Sequence, residues 1–556
     1  MRRCLTALAL LLVLACTRGQ AQSTQGSFIG SVSDTAGAVV PGAIVILTNT
    51  DEGAVRATKT NGLGEYHFED VKAGHYSLEI AAPGFEKWKA SGVALEVRQE
   101  LRVDVKLAIG AVQQEVHVTG DMVSAIETDS PTVSGTLTTD DANSLPVNTR
   151  ASFSGTSAAG IFSALPGVQS DGDSSGVSLQ GALPYQVDVT VDGVTVKSAT
   201  GGTYIGDSFP STESISEIRA DGVLANAEYG DPGQIVVTTK GGSNLLHGSG
   251  FWYYQNSAFD AIAYTFPTTT TKPSVTGNTF GGSLGGPVVF PHLYNGHNKT
   301  FFFGAYEGWR HPAQTTLSEV VPSTLMKQGD FSKYSAAGFT GLTDPYTGGS
   351  YGTAIPSGAL STIALNTLKQ FYPDPNIGDP TAYTDNGVAN YHANVDNSGH
   401  SNQFDVRGDQ YFGSNQKFLL WGKFTWKDFP ISNPEELLVP SNLSISQNRA
   451  LKVDTNWSIK PNLINEGGFG YTLYTSGNSD SFNGLAFTTA QGWVGLQNLF
   501  YNGIPEMDFN NIKSLNADRL TSLTKSNTYD YSDVLIWSKG KHTIKVGGDI
   551  QTLEAV

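Results

Sequence analysis

Apolar and polar residues alternate with a period of two over most of this chain, and the alternation changes character near residue 246. Before that point the runs are short. Tyr76, Leu78 and Ile80 alternate with Ser77 and Glu79, and Leu101, Val103, Val105 and Leu107 alternate with Arg102, Asp104 and Lys106. Turn residues punctuate these runs at 34–37, Pro41-Gly42, 51–53, 61–64, 72–74 and Pro83-Gly84. Strands with one wet face and frequent turns predict a small β-sandwich of about seven strands over residues 25–107. After 246 the runs lengthen and end in aromatic residues: 247–254, 279–289, 300–309, 402–412, 417–427, 449–459, 463–474, 526–537 and 542–550. In the fifth of these, Phe418, Leu420, Phe424 and Trp426 fall on one face with Gly422 between them, and Lys423, Thr425 and Lys427 fall on the other. Strands of this length with an apolar and a polar face are what a bilayer demands, because only closed barrels let strands satisfy every backbone group in lipid.

The stretch 217–254 joins the two regimes. Ile235, Val237 and Thr239 alternate with Val236, Thr238 and Lys240 up to Gly241-Gly242, where the chain turns freely. Trp252, Tyr253 and Tyr254 then supply the aromatic side chains expected at a membrane interface. Upstream, 158–168 reads as a short helix broken at Leu165-Pro166-Gly167, and Asp192-Gly193 reads as a turn between strand halves within 187–196. Between Trp309 and Asn402 lies a polar, Pro- and Gly-rich excursion too long for a structural hairpin loop, with 359–371 as its one helix. Its Tyr346, Tyr351, Phe371 and Tyr372 are ligand-contact candidates, since aromatic rings stack on sugars; the commoner use of such rings is to pin a loop to itself.

Composition narrows the class. Only 15% of the 556 residues are charged and 63 are Gly, which suits a turn-rich all-β protein. A net charge of −17 argues against nucleic acid as a partner. Residues 1–21 form a secretory signal: Arg2 and Arg3 are its basic start, 5–15 its apolar stretch, and Gly19-Gln20-Ala21 its cleavage site. A rival reading makes Val13-Leu14-Ala15-Cys16 a lipoprotein box. Cys4 and Cys16 are the only cysteines, so cleavage after Ala21 leaves no disulfide framework or thiol chemistry. No later segment offers the roughly 18 apolar residues of a helical span. No phosphate loop, dinucleotide fingerprint, zinc motif or nucleophile elbow is present, and we expect no catalytic residue, no cofactor and no metal. His67 and His75 lack a second ligand at metal spacing and read as surface or edge residues. Asp171 and Asp173 sit together in a Gly/Ser loop without the full calcium-loop pattern, and read as solvated carboxylates.

Three ordered segments carry a resemblance: Ala227-Glu228-Tyr229-Gly230, then Val236-Val237-Thr238-Thr239-Lys240-Gly241-Gly242, then the aromatic strand that follows. They resemble the end of the plug domain in TonB-dependent outer-membrane receptors of the Oar-like subgroup. The front of the chain resembles the carboxypeptidase regulatory-like domain of that subgroup through Gly30-Ser31-Val32-Ser33-Asp34, Val40-Pro41-Gly42-Ala43, Thr60-Asn61-Gly62-Leu63-Gly64-Glu65-Tyr66 and Gly74-His75-Tyr76. That domain has a transthyretin-like, carbohydrate-binding-like fold, and its name implies no peptidase activity. The resemblance implies a linker over 108–129, a plug over 130–242 and an Oar-like barrel over 246–556. Glu115, Val116, His117, Val118 and Thr119 resemble the TonB box, a peptide gripped in the periplasm by strand addition. The same residues read equally well as the last strand of the first domain. Asp221-Gly222-Val223 stands where the family carries arginine–glycine–proline elements, which weakens any inference about gating from that segment.

The expected fold class is therefore mainly β: an N-terminal β-sandwich, a small α/β plug, then part of a transmembrane antiparallel β-barrel. Part, because a barrel that holds a plug has about 22 strands, while the alternation supplies nine and Glu554-Ala555-Val556 ends without the family's terminal aromatic. The resemblance implies a receptor that binds an extracellular ligand (glycan, peptide or metal chelate) and imports or exports it. Its partners would be the TonB–ExbB–ExbD complex and outer-membrane lipid. The alternative function is a surface carbohydrate-binding or adhesion protein without transport.

Overall fold

The structure is a computed structural model that describes residues 23–110, 115–119, 132–144, 158–170, 176–222, 229–259, 261, 276–413, 416–433, 437, 442–479, 489, 492–493, 507–515, 522–539 and 542–556. The expected signal segment with Cys4 and Cys16, and the Asp171 and Asp173 pair, lie outside the described residues.

The front domain holds β1 (Gly26–Asp34), β2 (Ile44–Asn49), β3 (Val55–Lys59), β4 (Glu65–Val71), β5 (Gly74–Ala81), β6 (Lys87–Leu95), β7 (Glu100–Arg102), β8 (Val105–Leu107) and β9 (Glu115–Thr119). One sheet runs β3-β2-β5-β6-β9; in the other, β1 pairs with β4, β7 and β8. The alternating residues do what their pattern predicts. Val45, Leu47, Leu78 and Ile80 are buried from one sheet and Phe28, Val32 and Phe68 from the other, with Phe28 edge-on to Tyr76 at 5.4 Å. Each such side chain stabilises by about 1.5–3 kcal/mol on burial. The expected single strand 101–107 divides into β7 and β8, where Asp104 turns aside to accept hydrogen bonds from Ser31 N and Oγ, both at 2.8 Å.

The middle domain comprises β10 (Ser134–Thr138), α1 (Thr139–Ser144), a 3-10 turn (Ala158–Ala164), β11 (Val168–Ser170), β12 (Val177–Leu179), β13 (Val187–Val191), β14 (Val194–Thr195), β15 (Ile215–Asp221) and β16 (Gly233–Thr239). Its sheet has the order β10-β15-β16-β13-β14. The expected helix at 158–168 is this shorter 3-10 turn, stopped where Gly167 takes φ +78°. Phe162 packs edge-on against Phe209 at 5.3 Å and Tyr204 at 5.6 Å, in a core shared with Ile218, Ile235 and Val237.

The nine expected long strands all form: β17 (His247–Asn256), β18 (Thr276–Pro287), β19 (Thr300–His311), β20 (Gly399–Phe412), β21 (Phe418–Asn433), β22 (Asn442–Lys460), β23 (Leu463–Ser479), β24 (Ser522–Lys539) and β25 (His542–Ala555). They make one antiparallel meander in chain order, with β17 and β25 at its edges. The connections 461–462 and 540–541 are two residues long, whereas 312–398 and 480–521 lie at the opposite end of the strands. We call these the turn end and the loop end. Phe404, Val406, Leu420 and Phe424 face outward and exposed, while Gln403, Asp405, Arg407, Asp409, Lys423, Thr425 and Lys427 face inward and buried. This apolar-out, polar-in wall is the lipid-facing pattern of a membrane barrel. Among the described residues no helix is long and apolar enough to cross a membrane.

Candidate functional site

The polar inner wall is buried because the middle domain lies on it. The seam starts from turn chemistry. Asp192-Gly193 links β13 to β14 in a two-residue hairpin turn, with φ +49° and +82° at its two residues. Asp and Gly are the residues that tolerate this left-handed pair. The turn presents the Asp192 carboxylate to the backbone N of Thr239 at 2.9 Å and its hydroxyl at 2.8 Å. Lys423 Nζ reaches it from β21 at 2.7 Å, with both side chains nearly sealed from solvent. Burial works to raise the Asp192 pKa, but the Lys423 and Arg407 charges, with hydrogen bonds from Lys423 and Thr239, hold it below the ordinary carboxylate value.

The rest of the seam repeats this logic. Lys427 Nζ lies 2.9 Å from Asp207, which also accepts from Ser446 Oγ at 2.6 Å. Asp405 accepts from Ser211 N at 2.9 Å, and Gln403 Nε2 donates to Phe209 O at 2.9 Å. Ser249 Oγ of β17 donates to Glu213 at 2.6 Å. Gly470 on β23 has no Cβ because one would sit 2.3 Å from Val194 Cγ2. Apart from Val194 against Gly470 these contacts are ionic or polar, and Asp192, Asp207, Asp405, Glu213, Lys423 and Lys427 each have a partner across the seam.

At the turn end the front domain joins the seam. Glu52 bonds Lys72 and accepts from the Tyr411 hydroxyl of β20, Lys72 lies 3.7 Å from Asp409, and Asn456 of β22 bonds Asp70. Arg407 binds Asp409 at 2.8 Å and lies 4.0 Å over the Trp421 ring. A cavity of about 760 Å3 opens between the three parts, lined by Lys72, Asp192, Glu213, Thr239, Arg407 and Trp421 among others.

The sequence-predicted residues fall elsewhere. Glu115, Val116, His117, Val118 and Thr119 form β9, paired in parallel with β6 from Lys87 to Ser91. Phe371 is fully buried, stacked on Trp493 at 6.2 Å, and Tyr372 is 2% exposed with its hydroxyl on Lys513 O at 2.7 Å. These two rings have no open face for a ligand; they close a small core between the 312–398 and 480–521 connections, joined by Val321, Leu437 and Leu515. The helix feeding them is α2 (Thr362–Phe371), capped by the Ser361 hydroxyl on Ala364 N at 3.3 Å. Tyr346 is 96% exposed at a loop tip and Tyr351 is half-buried, hydrogen-bonded to Asp344. His67 pairs with Glu69, and the exposed His75 faces Asp51 at 3.3 Å. Among the described residues no group of three His, Cys, Asp or Glu side chains is arranged to hold a metal. Sequence reasoning missed Asp192, Asp207 and Glu213; the Asp-Gly turn was the available signal for the first.

Comparison with known proteins bears on what this arrangement belongs to. The outer membrane beta barrel domain family matches residues 238–555, and the carboxypeptidase regulatory-like domain family matches 27–108. The TonB-dependent transporter Oar of Myxococcus xanthus is 24% identical over 302 residues, covering 52% of this chain and 27% of that protein. The chain thus spans about a quarter of the length of that relative. Among solved structures, the outer membrane transporter YddB from Escherichia coli aligns with a TM-score of 0.47 at 9% identity, over 76% of this chain and 48% of its own. The siderophore receptor PirA from Acinetobacter baumannii aligns at 0.38 and 12%, over 75% and 47%. With the family model matching more than half of the residues, the chain belongs to the outer membrane beta barrel domain family, with a carboxypeptidase regulatory-like domain ahead of the barrel.

Proposed function

We propose that the chain is the plug-bearing part of an outer-membrane receptor that binds an extracellular ligand at the loop end and passes it through the barrel when the middle domain shifts. The observation that carries this reading is the polar seam. Residues 130–242 act as the plug and rest on the inner wall through Asp192–Lys423 and Asp207–Lys427. Polar contacts of this kind exchange for water when the plug moves, so a path opens without exposing an apolar surface.

Energy for the shift comes from the inner membrane through a TonB-type partner at the turn end, with Glu115–Thr119 as its contact strand. A residue strip gripped by strand addition offers backbone groups, and an outer sheet strand such as β9 has them. Tyr346 and Tyr351 are the ligand-facing aromatics. This reading assigns the chain no catalytic step.

The test is accumulation of a labelled panel of glycans, peptides and ferric chelates by cells making the full-length protein, with TonB present or deleted. At least one panel member is expected to accumulate only with TonB. Equal accumulation in both strains for every member overturns the reading.

A further inference from the structure

At the turn end the connections 461–462 and 540–541 are short, but the one between β18 and β19 spans 288–299. It carries a small hairpin, with Val289–Phe290 paired to Tyr294–Asn295. The hairpin's apolar side chains are uncovered: Phe290 is 57% and Leu293 85% exposed, and Val289 and Tyr294 are exposed beside them. Leu245 and Leu246, just ahead of β17, are exposed as well, and Leu246 lies over Gly286, where a Cβ would sit 2.9 Å from Leu246 Cδ1. No Asp, Glu, Lys or Arg occurs from Val288 to Asn298. Contiguous apolar side chains at a surface mark a place that meets another apolar phase.

The base of the hairpin is held on two sides. Asn298 N donates to Asn244 Oδ1 at 2.8 Å, Asn244 Nδ2 donates to Asn298 Oδ1 at 2.7 Å, and Gln416 Nε2 donates to Asn298 O. Tyr411 N of β20 donates to Lys299 O at 2.7 Å. The apolar tip is thus presented at a fixed place, and the sheet register gives its height. Pro287 pairs with Phe301, and Phe301 with Asp409. Three residues further along the same register, Phe290 is level with Phe412. Counted by twos from the outward Leu284, Phe290 also falls on the outward face. Phe412 pairs with Phe418 and Phe418 with Trp457, with ring centres 5.8 and 6.4 Å apart, and these rings form a turn-end row on the outward face. The matching loop-end row is Tyr306, Phe404 and Trp426, at 4.8 and 5.5 Å. Phe404 and Phe412 are eight residues apart on β20. At about 3.3 Å per residue and a tilt of about 40°, the rows stand about 20 Å apart, near the roughly 25 Å apolar band of a membrane barrel. Between the rows, the outward positions Gly282, Gly286 and Gly304 carry no side chain toward lipid.

We propose that the 288–299 hairpin, with Leu245 and Leu246, is a phospholipid-anchoring site whose apolar tip enters the boundary between headgroups and acyl chains of the periplasmic leaflet. Short turns mark the periplasmic side of such barrels. Lipid is the occupant because the tip continues the lipid-facing wall at the height of its aromatic row, next to strands whose glycines leave that row unfilled. Tyr294 suits such a boundary, with an apolar ring and a hydroxyl bonded to Thr300. His292, His297 and Lys299 flank the tip with no acidic residue among them, which suits the level of lipid phosphates. The inference rests on the membrane-barrel reading and not on transport.

Spin-label accessibility tests it, on the full-length protein in phosphatidylethanolamine–phosphatidylglycerol vesicles with Cys4 and Cys16 replaced by Ser. Single labels go at Phe290→Cys and Leu293→Cys, at Phe424→Cys on the outward face of β21, and at Tyr346→Cys on the exposed loop tip. Oxygen concentrates in lipid and a neutral nickel chelate in water, so the ratio of collisions with the two reports depth. At both 290 and 293 the oxygen-to-nickel ratio is expected to be more than twofold above that at 346. A ratio within twofold of that at 346, at either site, places the hairpin in water and overturns the anchor. Exclusion of both reagents at 290 and 293 reveals a protein cover, from a second copy or a periplasmic partner, and also overturns it. The label at 424 separates this outcome from the barrel reading. A lipid-like ratio at 424 with water-like ratios at 290 and 293 overturns the anchor alone, whereas water-like ratios at all three overturn both.

Discussion

Replacing Glu217 by glutamine should make the contact between the front and middle domains indifferent to pH, and stronger than wild type above neutrality. Glu217 is 7% exposed on β15. Burial raises its pKa from the ordinary 4.5 to about 7, opposed by the Val97 N–H it accepts, reinforced by the nearby Glu96 charge and partly offset by Arg219. The assembled state therefore binds this proton more tightly than the separated or unfolded state does. The stabilisation is complete below pH 4.5 and is lost as pH rises through about 7. At about 1.4 kcal/mol per unit, the full swing is about 3 kcal/mol, of which about 2 kcal/mol falls between pH 5.5 and 8.5. The substituted amide keeps an acceptor for Val97 and carries no charge to bury. The assay is the free energy of opening at residues 215–221 from amide exchange, corrected at each pH for intrinsic rate. Wild type should lose about 2 kcal/mol between the two pH values, and E217Q should lose almost none. Protection that rises with pH in wild type, or an equal slope in E217Q, refutes the reasoning.

Three other substitutions probe the seam, the lipid face and the loop end. Lys423→Met leaves Asp192 buried without its ion-pair partner and should weaken the seating of the middle domain by about 3–5 kcal/mol, read as a lower urea midpoint for protease access to 187–196; adding Asp192→Asn, which keeps the left-handed turn and an acceptor for Thr239 without a charge to strand, should restore most of it. Phe424→Arg places a charge on the outward face of β21 and should cost about 2–4 kcal/mol of membrane insertion if it lies at the midplane, measured by folding into lipid vesicles. Phe371→Ala empties the core between the two long connections and should destabilise it by about 3–5 kcal/mol, exposing 362–372 to protease, while Tyr346→Ala leaves cleavage unchanged.

The parts legible in the sequence are those fixed by local periodicity. The nine long strands, the inward face of Lys423, Thr425 and Lys427, and the Asp192-Gly193 turn are each set by neighbours within a few residues. What those residues meet was not legible. Lys423 meets a partner 231 positions away and Lys427 one 220 positions away, and nothing in either local pattern names it. The turn at 96–99 looks like an ordinary charged surface turn, and only the approach of β15 makes Arg98 a buried residue. Phe371 and Tyr372 show the reverse error: aromatic residues in a long loop suggest an open ring face, but the second loop, around Lys513 and Leu515, covers them. Period two also cannot tell a free strand from an outer sheet strand, so the residues of β9, which pair with β6 at the edge of the front sheet, support two readings.

The chemistry of the seam fits a seat that must be both specific and reversible. The barrel wall turns its apolar side chains toward lipid, so its inner face has little apolar surface to offer the middle domain. A buried ion pair adds little net stability compared with apolar packing of the same volume, because desolvation cancels most of the attraction. It is nonetheless strict about geometry, since a shifted carboxylate leaves Lys423 buried and unpaired. Asp192, Asp207 and Asp405 therefore fix where the middle domain sits more than how tightly it is held. An apolar seam of equal area would bind more strongly and expose greasy surface on opening.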